Sequence, residues 1–178
     1  MAILTADLLY KYSVTTGPGN STSGIAAGSL GEFISTTQIT SASLNNLFDD
    51  MTGDENAALD DEYRCVFIHN ANGSLTWEDP VLWISAEVAG GADATIGVDP
   101  TAASVLASET DQAVEIATES DVPGSVDFTG PTTKETGLAL GDLAAGKVKA
   151  FWFKRLGTDS AALDNDGITV RAEGDTAA

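Results

Sequence analysis

The sequence predicts an all-β protein: an immunoglobulin-like antiparallel β-sandwich over residues 61–178, preceded by residues 1–60 as an extended N-terminal arm with a short strand and one short helix. Three observations carry this. From Tyr63 onward, short runs rich in β-branched and aromatic residues follow one another, about seven in all. Clusters of Gly, Pro, Asn and Asp separate them at regular spacing. No helical periodicity alternates with the strands, which disfavours a doubly wound parallel sheet. The chain has 178 residues, 43% of them hydrophobic, enough for one domain with a sizeable core and an appendage.

Taken in order, the stretch SVTTGPGNSTSGIAAGSLG supplies no continuous apolar face and reads as an arm that is ordered only on assembly. EFISTTQIT has the composition of a short strand. In residues 41–52, Leu44, Leu47, Phe48 and Met51 recur at helical spacing, with Ser41 or Ser43 as N-cap and Gly53 as the stop, which predicts an amphipathic helix capping the main domain. EYRCVFIHN, VLWISAEV, ATIGVD, QAVEIAT, SVDFTG, VKAFWFKRL and ITVRAEG are the strand candidates. In VLWISAEV, Leu82, Ile84, Ala86 and Val88 share one face and Trp83 points to the other.

VKAFWFKRL raises a separate question. Val148, Ala150 and Trp152 fall on one face and Phe151 and Phe153 on the other, so both faces are apolar, whereas an ordinary sandwich strand buries one. Lys147, Lys149, Phe151, Phe153 and Arg155 make a stripe of cations and aromatics of the kind found at protein interfaces, and five of the eight basic residues lie between Lys134 and Arg155. These five stripe residues are the candidate partner-binding site. The expected cover is a partner chain; the alternative cover is the chain's own arm.

Twenty-seven acids against eight bases give a formal charge of −19, which repels nucleic-acid phosphates and anionic bilayers alike. Neither is expected as a partner. The opening MAILTADLLYKY has no basic n-region and no long apolar run, so synthesis in the cytoplasm of a host is the expectation. The single Cys65, among Tyr63, Val66 and Phe67, reads as a buried packing residue.

No catalytic constellation is legible: there is one histidine, His69, which reads as a hydrogen-bonded structural residue, and no nucleophile elbow, phosphate loop, Cys/His cluster or dinucleotide fingerprint. The adjacent acids Asp60, Asp61 and Glu62, and Glu78 with Asp79, read as solvated loop charge. Asp164, Asn165 and Asp166 before Gly167 form part of a calcium-loop pattern, but a tight turn needs the same residues and the remaining ligand positions are missing. No enzyme activity or cofactor is expected, and the turn is favoured over a cation site at Asp164 and Asp166, which stays open as the lesser alternative.

NNLFDDMTGDENAALDDEYRCVFIHN, followed by VLWIS, GDLAAGKVKAFWFKR and ITVRAEGD, resembles a family of structural proteins encoded in the head regions of tailed bacteriophages. Leu47, Phe48, Asp49, Gly53, Glu55, Glu62, Tyr63, Arg64, Cys65 and Asn70 are the positions that carry the resemblance, which spans roughly residues 44–175. It implies a non-catalytic virion protein, a capsid decoration (cement) protein on the capsid exterior, with the major capsid protein and neighbouring copies of itself as partners. A tail or neck component is the alternative in the same particle. A carbohydrate-binding module is another, with Trp77, Trp83 and Trp152 as its sugar platform.

Overall fold

The structure is a computed structural model that describes residues 2–161 and 166–176. Nine strands occur among them: β1 (Leu8–Val14), β2 (Phe33–Gln38), β3 (Asp61–Asn70), β4 (Trp77–Glu87), β5 (Asp93–Val98), β6 (Ser104–Val105), β7 (Leu138–Ala139), β8 (Lys147–Leu156) and β9 (Ile168–Thr176). They form two antiparallel sheets. The larger runs β2-β1-β3-β8-β5, with β6 also on β8, and the smaller runs β7-β4-β9. The all-β sandwich is therefore observed; the strand order does not itself establish the immunoglobulin class.

β3 and β8 pair along nine consecutive residues, from Asp61 opposite Leu156 to His69 opposite Val148. Their length and β-branched and aromatic content suit the centre of a sheet, and both are buried on both faces. On one face Tyr63, Cys65, Phe67, Val148, Ala150 and Trp152 form a core. On the other, Val66, Ile68, Phe151 and Phe153 meet Trp77, Leu82 and Ile84 of the smaller sheet, with Ile168, Val170 and Ala172 of β9 packed alongside. The face assignments read from alternation hold.

The cover over the first face corrects two strand expectations. QAVEIAT and SVDFTG form no strands; they are part of a loop layer in which Ala113, Ile116 and Val126 pack against the Trp152 core. Their backbones pair only at isolated points. Ile116 N–H donates to Leu30 O, Gln112 N–H to Glu32 O, and Ile96 and Thr129 exchange bonds. Runs this short, interrupted by Pro, Gly and acids, cannot sustain a ladder, but they bring enough apolar surface to cover one.

The N-terminal arm is also corrected. β1 lies between β2 and β3, with Leu8 opposite Asn70 and Tyr12 opposite Val66, so these residues belong to the sandwich. The glycine-rich stretch folds back along the outer edge of β2: Asn20 N–H donates to Ile34 O and Thr36 N–H to Thr22 O. Its glycines serve close approach. Gly31 has φ +104°, and a Cβ there would lie 1.8 Å from the Val114 carbonyl oxygen.

The helix expected over 41–52 is displaced. That segment is a series of turns with Ala42 and Asn45 at φ 60° and 54°, conformations that no helix accommodates. The helix, α1 (Gly53–Ala58), begins where a stop was expected, because Thr52 and Glu55 form a capping box: Thr52 Oγ1 accepts from Glu55 N–H and the Glu55 carboxylate accepts from Thr52 N–H.

Candidate partner-binding surface

The stripe on β8 is internal. Phe151 and Phe153 are 1% and 7% exposed, and their rings pack 5.3 Å apart, with Tyr10 edge-on to Phe151 at 6.3 Å. Lys149 is buried, and its ammonium donates to the carbonyls of Asp99 (2.7 Å) and Thr101. Burial lowers its pKa, with Asp99 opposing. Lys147 is half-buried opposite Val105. Arg155 is half-buried, its Nε donating to Glu62 Oε2 at 2.6 Å. Lys149, Phe151 and Phe153 are thus buried by the chain itself and not open to a partner, whereas Lys147 and Arg155 keep part of their surface open. The second apolar face is covered by the chain's own smaller sheet, because the hydrophobic term favours whatever apolar cover is covalently at hand.

Phe48, Asp49, Glu62 and Arg64 meet Arg155 at one end of β3 and β8. Two guanidinium groups lie over the Phe48 ring, Arg64 at 5.3 Å and Arg155 at 4.8 Å from its centroid. Arg64, 1% exposed, pairs with Glu119; Arg155 pairs with Glu62 and lies 3.6 Å from Asp49. Burial holds the Glu62 carboxyl above the ordinary carboxylate range, with Arg155 opposing. At the far end of β3, the Asn70 side chain donates to the carbonyls of Leu75 and Leu143. These contacts tie the loop before α1 to β3 and β8 through cation–π contacts and one largely buried ion pair, Arg155–Glu62.

A second buried hub went unread in the sequence. Asp99, 1% exposed, accepts from the Trp152 indole N–H (2.8 Å), Val114 N–H (3.0 Å) and Thr101 N–H (2.8 Å). It fastens the loop layer to β8. Only the unusual placement of an acid at the end of the apolar run ATIGV signalled it.

The remaining expectations can be placed individually. Cys65 is fully buried, and that burial pushes its thiol well up, away from reactivity. His69 is buried, its Nδ1 has no hydrogen-bond partner among the described residues, and burial with nearby Lys11 lowers its pKa. Trp77, Trp83 and Trp152 are 3%, 7% and 0% exposed, so they offer no sugar platform. Asp166 accepts from Ala92 N–H at 2.7 Å, a loop-bracing role; Asp164 and Asn165 lie outside the described residues. Among the described residues no group of three or more His, Cys, Asp or Glu is placed to hold a metal ion, and no helix is long and apolar enough to cross a membrane.

Most cations are drawn inward, whereas the described acids other than Glu62 and Asp99 reach water. Lys11 binds the Asn20 side chain, Lys149 binds carbonyls, and Arg64, Lys134, Lys154 and Arg155 pair with carboxylates. Lys147 and Arg171 make no ion pair among the described residues. The surface that stands open is at β9, the terminal strand of the smaller sheet, whose residues alternate between half-buried and exposed along its whole length. Beside it, where the two sheets diverge, lies a cleft of about 350 Å³ lined by Thr5, Tyr10, Val170 and Ala172. Burial pushes the Tyr10 hydroxyl up to about 12, so this polar group stays neutral at the cleft.

No family model, curated protein or solved structure matches the chain.

Proposed function

We propose that the chain is a non-enzymatic structural protein of a tailed-bacteriophage virion, a decoration or cement protein that binds the outer surface of the major capsid lattice and stabilises it. The observation that carries this reading is the inward turning of the cations in a chain of net charge −19. What faces solvent is strongly acidic. Such a surface is repelled by packaged DNA and by anionic bilayers, and it suits the outside of a particle. The phage-head resemblance supports the same reading, since its residues build the Phe48–Arg64–Arg155 scaffold, as positions defining a structural fold would.

In this role the protein bridges adjacent capsid subunits. Each site adds buried area at a seam that internal pressure tends to open, and contacts repeated across the lattice raise avidity beyond any single contact. Quantitative mass spectrometry of purified virions carrying this chain tests the reading. A copy number near that of the major capsid protein is the expected result. Absence from the particle refutes a virion role, and a count of about a dozen or fewer, as in one ring, assigns it to the neck or tail instead.

A further inference from the structure

The open edge of the smaller sheet has a definite chemistry. β4 directs one set of its backbone groups away from β9: Ile84 N–H donates to Pro131 O, and Pro80 O accepts from Leu140 N–H, both at 2.8 Å. Ile84 lies opposite Val170, and Leu82, which shares its orientation and faces Leu138 of β7, lies opposite Ala172. In an antiparallel ladder the residues of such a pair turn their N–H and C=O groups outward together. The outward groups of β9 therefore belong to Val170, Ala172 and Gly174. Among the described residues they have no backbone partner.

We propose that two copies of the chain join through this edge, β9 pairing antiparallel with β9 of the second copy about a two-fold axis at Ala172, so that the two smaller sheets become one continuous sheet. The register follows from the strand itself. Overlapping all nine residues of β9 sets Ile168 opposite Thr176, Val170 opposite Gly174, and Ala172 opposite its own copy. Val170, Ala172 and Gly174 turn their backbone groups outward, and the same alternation extends to Ile168 and Thr176, so each forms a hydrogen-bonded pair.

The same register aligns the exposed side chains. Arg171 of each copy falls opposite Glu173 of the other, and Thr169 falls opposite Asp175. These are the non-hydrogen-bonded pairs, where side chains approach most closely. Shifting the centre by one residue either way sets Arg171 against Arg171 or Glu173 against Glu173. Of these three registers, the one of greatest overlap is thus the one free of like-charge opposition. Arg171, without an ion pair among the described residues, gains one, and Glu173 is held between it and Lys134, which lies 3.6 Å away. The core-facing row of the second strand continues the apolar face formed by Val170 and Ala172 beside the Tyr10 cleft. This inference does not depend on where the protein acts.

Sedimentation velocity on the full chain at physiological salt, over a range of concentrations, tests it. Wild type is expected to show a concentration-dependent monomer–dimer equilibrium. Arg171→Glu, at an exposed position, places like charges opposite each other twice and should weaken the dimer roughly tenfold or more. The double exchange Arg171→Glu with Glu173→Arg restores opposite charges across the two-fold and should recover most of the loss. A chain that stays monomeric at several hundred micromolar overturns the proposal and leaves the charges on β9 as guards against edge association. A dimer indifferent to Arg171→Glu, or one not rescued by the exchange, overturns the edge and its register.

Discussion

Replacing Asp99 with alanine isolates what holds the loop layer onto the central sheet. The carboxylate is 1% exposed and accepts three hydrogen bonds, from Trp152, Val114 and Thr101, while the Asp99 carbonyl holds the Lys149 ammonium. Alanine leaves those three N–H groups without their acceptor. At roughly 1–3 kcal/mol for each donor left unsatisfied in a buried setting, with partial relief from water entering the gap, the loss is about 3–6 kcal/mol. For a domain of this size each kcal/mol lowers the melting point by about 2–4 °C, so a drop of about 6–24 °C is expected. Calorimetry on the variant and on Asp50→Ala, an exposed acid outside this hub, provides the comparison. Both changes remove one negative charge, so any general relief of repulsion cancels. If Asp99→Ala melts within about 2 °C of Asp50→Ala, a difference below one kcal/mol, the hub reasoning is wrong.

Phe151→Ser with Phe153→Ser should unfold the protein or lower its melting point severely, because each phenylalanine truncated in a core costs about 3–5 kcal/mol; a normal melt would return these rings to the surface. Gly31→Ala should destabilise by roughly 2 kcal/mol or more, since φ is +104° and the new Cβ meets the Val114 carbonyl; chemical denaturation would measure it, and an unchanged midpoint would contradict the close approach. His69 is held below its ordinary pKa by burial and by Lys11, so the unfolded chain takes up the proton first as pH falls. Its contribution is full above the unfolded-state pKa near 6.5 and is lost as pH drops from there towards the lower folded-state value. Unfolding free energies at pH 7.5 and 5.0 for wild type and His69→Gln should show the steeper acid loss in wild type, and equal losses would remove His69 as the cause.

The corrected elements share one origin. The pattern Leu44, Leu47, Phe48, Met51 has helical spacing, yet Phe48 is placed by Arg64 and Arg155, which are distant in sequence, and the chain reaches them through left-handed turns at Ala42 and Asn45. Leu44 is left 73% exposed. The glycine-rich stretch looked unable to bury itself, and its glycines instead allow tight packing along β2 and against the Val114 carbonyl. Asp99 could be recognised as a hub only once Trp152, Val114 and Thr101 had been brought to it.

By itself the sequence determined that the chain is antiparallel β, which runs form β3, β4, β8 and β9, which side chains of β8 share a face, and that both of those faces are apolar. Each of these follows from the two-residue period of a strand and from local turn chemistry, which act over a few residues. Only the tertiary structure decided what lies on those faces: the smaller sheet over Phe151 and Phe153, and the loop layer over Trp152. Apolar burial has no direction, so a two-sided strand demands cover without naming it, and the choice fell to long-range closure of a chain that carried enough apolar surface to cover both faces itself.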